Sequence, residues 1–316
     1  MPKKNVFVLL LFLPISLVAQ NFEGIIEYEV KLFSKDPDTR LAELDRWTGN
    51  NHQLYIKGDY IKYVKKRGLE IVETQVLSPE DGRMYRWFEF DPEVVFWSDP
   101  YIENSKIVYH NVVSNKTTIL GKQCHLIQAR ATKASIEFYY TDELKMNTFW
   151  CSTNAPFSST NDLITLAGDF VPLKYVIDHE KYQVIIEAKS IKNVKLDDFH
   201  FSLTSLHPFM VPDGDLLDAM PEPLGGMNKF YEQVGNDVRY PKKAAKHTIG
   251  GQVMVQFIVS KEGKVSRTHV VNGIGYGCDK EAERVIKESN LQWKPALVDG
   301  KPVDFAMIVP IKFKAL

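Results

Sequence analysis

The side chains most able to do covalent or acid–base chemistry are Cys124, Cys151 and Cys278, together with the short runs Asp178-His179-Glu180 and His207-Pro208. A catalytic site needs a nucleophile, a base and a group that orients the base. No Ser or Cys elbow accompanies these residues, and there is no CxxC pair or other metal-ligand spacing. Cys124 and His125 are neighbours, so in a strand they point to opposite faces. His179 falls at a turn between two strand-like runs, where a solvated histidine is ordinary. These residues give no catalytic centre, no metal site and no cofactor. Three cysteines leave at least one without an intramolecular partner. Cys124 with Cys151 is the candidate disulfide, which needs Cα atoms within about 7 Å; Cys278 is expected to stay reduced.

The other available chemistry belongs to the backbone. Val303–Phe313 has strand composition but contains Pro310, which cannot donate to a ladder, so the run reads as an edge strand. An edge exposes N–H and C=O groups that an extended peptide can complete, while alternate side chains set preference. Tyr240-Pro241 fixes the loop before the preceding hairpin and presents an aromatic ring, or else is a helix stop packed on the core. Trp293 reads as a buried anchor for the loop before the last strand.

Elements of two kinds must position these groups. In residues 224–316, Met227, Phe230, Tyr231 and Val234 fall at i, i+3, i+4 and i+7, one face of a helix. Tyr240-Pro241 redirects the chain, and Lys242–His247 makes a further helical turn. Val253, Val255, Phe257 and Val259 share one face of a strand that turns at Lys261-Glu262-Gly263-Lys264 into Val265–Val271. Asp279–Ser289 is helical, with Ala282, Val285 and Ile286 inward and Asp279 favourably placed near its N-terminus.

Residues 20–205 are β-rich. Phe22–Leu32 alternates apolar and charged positions, and Gln53–Val64 reads as two strands turning at Gly58-Asp59. Further strands are expected at Leu69–Leu77, Met84–Phe90, Lys106–Val113, Gln123–Ala129, Ser135–Thr141, Leu173–Asp178 and Tyr182–Val194. Asp91-Pro92, Asp99-Pro100 and Gly121-Lys122 read as turns, and only Asp38–Arg46 and Thr160–Leu166 as short helices. The fold class is α+β: a curled antiparallel, half-barrel-like sheet followed by a small domain of helix, hairpin, helix and C-terminal strand. Residues 206–223, with Pro208, Pro212, Pro221 and Pro223, read as a semi-stiff connector.

Lys3 and Lys4, the apolar run Val6–Leu13 and the small residues up to Ala19 match a secretory signal peptide, 1–19, which implies the periplasm. The rival is a retained inner-membrane anchor. From Val6 to Ala19 a helix reaches only about 21 Å against roughly 30 Å of hydrocarbon, and Pro14 interrupts it. Net charge is −1, yet residues 224–316 carry 15 Lys and Arg against 9 Asp and Glu. That basic half faces either an acidic partner or its own acidic N-terminal half; nucleic acid is not a partner expected of a secreted chain.

The order of elements in 224–316 resembles the TonB C-terminal domain. Carrying the resemblance are Gly225-Gly226, Arg239-Tyr240-Pro241, Gly250-Gly251-Gln252-Val253, Glu262-Gly263-Lys264-Val265, Gly277-Cys278-Asp279, Trp293-Lys294-Pro295 and Val309-Pro310-Ile311-Lys312-Phe313. It implies a domain that grips an extended segment of an outer-membrane receptor, the TonB box, by strand addition. Arg239, Tyr240 and Pro241 would then stand at the end of the groove, and Val303, Phe305, Met307 and Val309 along the strand. ExbB and ExbD are implied partners if the N-terminal segment is retained. There is no Pro-Lys or Pro-Glu rod. In its place stands a domain in which Phe22-x-Gly24-x-Ile26-x-Tyr28 and Ile119–Cys124 resemble secreted GLPGLI-type proteins and LolA-like half-barrels, which implies a concave sheet that holds a lipid or peptide, or a packed spacer.

Overall fold

The computed structural model describes residues 21–39, 41–98, 107–131, 134–146, 163, 166–203, 209–212 and 216–314. The signal segment, most of Thr160–Leu166, Cys151 and His207 lie outside them.

Alternation of apolar and polar residues drives the first unit. β1 (Gly24–Ser34), β2 (Asn51–Lys57), β3 (Tyr60–Arg67), β4 (Glu70–Ser78), β5 (Arg83–Phe88) and β6 (Asp91–Ser98) make one antiparallel meander, with α1 (Leu41–Thr48) between the first two strands. β7 (Ile107–Ile119), β8 (Lys122–Ala131), β9 (Ala134–Lys145), β10 (Phe170–His179) and β11 (Tyr182–Asn193) make a second, and β1 pairs with β11 to join them. One face of this sheet buries Ile26, Tyr28, Leu54, Ile56, Tyr63, Phe138 and Tyr175 in a single core. Each such side chain contributes roughly 1.5–3 kcal/mol of transfer free energy. His52 is buried in the same region, its ring facing the Thr48 carbonyl at 2.7 Å and the Tyr63 hydroxyl. A carbonyl only accepts, so the imidazole proton sits on Nε2 and Nδ1 accepts from Tyr63.

One expectation of the first unit needs correction. The expected turn at Asp91-Pro92 is part of a strand: Asp91 opens β6, with Pro92 near the outer end, where a missing donor is tolerated. The expected connector 206–223 is tied down at both ends. Phe209–Pro212 is β12, pairing in parallel with β6 as the outermost of twelve strands. Farther on, the Asp218 N–H donates to the Leu297 carbonyl, and β13 (Glu222–Pro223) pairs with β16 (Trp293–Lys294). Proline-rich composition marks the absence of a helix, not of tertiary hydrogen bonds.

The second unit continues with α2 (Gly226–Asp237), α3 (Lys242–Lys246), β14 (Gly251–Val259), β15 (Val265–Asn272), α4 (Cys278–Glu288), β16, β17 (Ala296–Val298), β18 (Lys301–Val303) and β19 (Phe305–Phe313). β14 is the centre of a three-stranded antiparallel sheet ordered β15-β14-β19. Val253, Val255, Phe257, Val309, Ile311 and Phe313 on one face pack against Phe230 and Val234 of α2 and Ala282, Val285 and Ile286 of α4. Tyr231, expected on the buried face of its helix, is 38% exposed. A helix packed by one narrow stripe buries Phe230 and Val234 and leaves the flank wet.

Burial along β14 changes character midway. From Gly251 to Val255 it alternates, with Val253 and Val255 buried, whereas Val255–Val259 is buried at every position. Burial at consecutive residues means a strand covered on both faces. The second cover is the first unit: Val94 of β6 and Val211 of β12 pack on Ile258 and Ala306.

Candidate functional site

Among the described residues β19 is an edge: β14 lies on one side and the three-stranded sheet ends on the other. Pro310 stands opposite Met254 in the register. In an antiparallel ladder residues alternate between those bonded to the partner strand and those whose N–H and C=O point away. Pro310 has no N–H, so it belongs to the outward set, and Ala306, Ile308 and Lys312 share its parity. Odd-numbered Met307, Val309 and Ile311 carry the bonds to β14.

The expected strand residues separate accordingly. Val309 is 1% exposed and Phe305 6%, and Met307 packs against the core of the second unit. Their side chains hold the strand from inside. Val303 is not in this strand: Asp304 interrupts it to accept the Lys261 N–H, and Val303 pairs with Ala296 in the small β17–β18 hairpin. On the outer face Ile308 is 43% exposed and Lys312 is exposed, while Ala306 is shut beneath Val94 and Val211.

Arg239, Tyr240 and Pro241 gather at the Phe313 end of β19. The Tyr240 ring lies 6.4 Å from that of Phe313, and its hydroxyl donates to the Ile249 carbonyl. Pro241 sits against Gly277, where an added Cβ would come within 3.2 Å of its ring. The Arg239 N–H donates to Glu281, whose carboxylate also takes a bidentate pair from Arg284. Burial works to raise the Glu281 pKa, but the Arg284 hydrogen bonds and the Arg239 N–H outweigh it and hold the carboxyl below its usual range. The loop is therefore fixed by Tyr240 and Glu281 while the Arg239 side chain stays exposed.

Residues 236–315 match the family model described as Gram-negative bacterial TonB protein C-terminal. These residues form a TonB C-terminal domain. None of the curated proteins matches the chain. Among solved structures it is similar to PNGF-II (13% identity, TM-score 0.41), over 76% of this chain and 44% of that one, so it spans less than half of that protein. It is also similar to an uncharacterized conserved protein from Thermus thermophilus (10% identity, TM-score 0.35, 60% of this chain and 91% of that one). A third is LprF from Mycobacterium bovis (11% identity, TM-score 0.23, 55% and 88%).

The residues that bind the TonB-type sheet to the first unit do not stand out in the sequence. Gln256, 1% exposed on the outer face of β14, donates to Asp91 at 2.7 Å, and Arg267 of β15 reaches Asp91 at 3.7 Å and also Glu93. A polar residue alternating with valines reads as solvent-facing, and no local signal shows a cover. The residues with reactive types are dispersed. Asp178 pairs with Lys35 and Gln183, and the His179 ring lies tilted against that of Tyr182, with centroids 4.4 Å apart. Cys124 and Cys278 are buried free thiols, and the expected partner of Cys124, Cys151, lies outside the described residues. Burial raises the pKa of both thiols. Among the described residues no helix is long and apolar enough to cross a membrane.

Proposed function

We propose that this is a periplasmic TonB-like protein that binds an extended segment of an outer-membrane receptor by strand addition to β19, in support of TonB-dependent transport. One observation carries the reading: β19 closes its sheet with Ile308, Pro310 and Lys312 directed away from β14, on a domain of the TonB C-terminal type. An incoming strand completes the outward N–H and C=O groups and is recognised largely through its backbone. Pro310 leaves one gap in that ladder, which fixes the register in which a segment pairs best. Arg239, Tyr240 and Pro241 stand at the end of the strand, with Tyr240 pinned and Arg239 exposed toward solvent, where it can meet a bound chain. Phe305, Met307 and Val309 give the strand its rigid backing, and Val303 anchors the preceding hairpin.

Coupling to ExbB and ExbD would require that residues 1–19 be retained as an anchor; an intact mass of the mature protein beginning at Gln20 would exclude it. Binding is tested by titrating receptor segments into the full chain and following backbone amide shifts. Shifts at Ala306–Lys312 are expected. Shifts confined to residues 21–203 would instead favour a lipid or peptide carrier built on the first unit.

A further inference from the structure

The two ends of the β19 edge differ in kind. At the Phe305 end the first unit closes the strand: Ala306 is 6% exposed under Val94 and Val211, and the acidic Asp91 and Glu93 stand beside it, already engaged by Gln256 and Arg267. An extended segment running past Ala306 would collide with β12, which passes close to β19. At the Phe313 end the charge is reversed. Lys242, Lys243 and Lys246 of α3 are exposed there, as are Lys312 and Lys314 of the strand itself. Tyr240 and Ile249 bracket α3 in sequence and tie it to Phe313 and the start of β14. Among the described residues none of these five lysines has an ion-pair partner. Two acids of α4 are committed elsewhere: Asp279 accepts the Ile274 and Gly275 N–H groups, and Glu281 is held by Arg239 and Arg284.

Resting on the strand-addition reading, we propose that β19 is a one-ended groove: a segment enters from the Phe313 end only, and carries an acidic flank that lies over Lys242, Lys243, Lys246, Lys312 and Lys314. Each exposed contact is weak, but several unpaired charges beside one bound strand add in the same direction, and all are screened by salt. The charge sign thus requires an acidic flank, and the cover at Ala306 puts that flank at the Phe313 end. The N-terminal unit stands where a rod was missing, and it acts by removing one of the two possible placements of the segment.

The test uses the full chain and two labelled peptides sharing one uncharged, β-forming centre, with three aspartates placed before it in one and after it in the other. One of the two is expected to bind about 5-fold more tightly at low salt, the preference fading at high salt. In the K242E/K243E/K246E variant the preference should vanish or invert. Equal affinities, or a preference unchanged in that variant, overturn the one-ended groove. Ile308→Pro separates this inference from the reading beneath it: binding of both peptides retained in that variant would sink strand addition itself. Should phosphatidylglycerol vesicles displace the preferred peptide in a lysine-dependent way, the cationic end is a lipid-facing surface and the acidic-segment assignment is wrong.

Discussion

Gln256 and Asp91, 165 residues apart, meet in a buried hydrogen bond of 2.7 Å that fastens the TonB-type sheet to the twelve-stranded sheet. Both side chains are nearly inaccessible, at 1% and 8% exposure, so neither has water as a ready substitute. Arg267 joins the same carboxylate from β15. The polar contact lies beside the apolar one made by Val94, Val211, Ile258 and Ala306, and together they set how the β19 edge is presented.

Asp91→Ala removes the acceptor of a buried amide and one anionic partner of Arg267. Leaving such a donor unpaired costs about 1–3 kcal/mol. Urea denaturation followed by tryptophan fluorescence should show a loss of that size. A change below about 0.5 kcal/mol would mean that water replaces the contact.

Ile308→Pro and Val309→Pro form an informative pair. The Ile308 N–H points away from β14, so its removal should spare the fold and abolish segment binding. The Val309 N–H bonds to β14, and its loss should lower stability by about 1–3 kcal/mol. Melting curves and titrations of both variants check the parity; equal destabilisation by the two prolines would contradict it.

His52 makes the first unit acid-sensitive. Unfolded, an imidazole takes a proton near pH 6.5; buried here, it does so only at about pH 3, because burial disfavours its charged form. Between those values the unfolded chain binds the additional proton, so stability present above pH 6.5 is lost as pH falls toward 3. The slope from this group is at most about 1.4 kcal/mol per pH unit. Wild type should therefore lose ~2 kcal/mol more than His52→Gln between pH 7 and pH 5. Parallel pH profiles would show the imidazole to be hydrated in the folded state.

Gly263 holds the β14–β15 turn against the Trp293 backbone. Its φ is +77°, and an added Cβ would fall 2.1 Å from the Trp293 carbonyl oxygen, while the Trp293 N–H donates back to Gly263 at 3.0 Å. Gly263→Ala should cost at least about 1–3 kcal/mol through backbone strain alone. A thermal melt unchanged from wild type would mean that this turn can shift away from Trp293.

Most strands are legible in the sequence because alternation and turn chemistry are local. Ile26, Tyr28, Leu54 and Ile56 announce their common face through period two, and Phe230 and Val234 theirs through helical spacing. β12 is not legible, since four residues in a proline-bearing stretch carry no period that stands out from a connector. Pro310 discloses an edge, because a proline inside a ladder is tolerated only where its nitrogen faces outward.

The sequence by itself determined the TonB-type module, its order of elements along the chain and the edge character of β19, since motif spacing, apolar period and a missing N–H are properties of neighbouring residues. Only the tertiary structure decided that Gln256 and Ile258 are covered, that Ala306 is shut while Ile308 and Lys312 stay open, and that Val303 leaves the strand. The covers on Gln256, Ile258 and Ala306 depend on β6 and β12, which precede the positions they cover by roughly 45 to more than 200 residues. A pairwise fit between distant surfaces leaves no periodic trace in either segment, so the cover on the groove appears only when both sheets are in place.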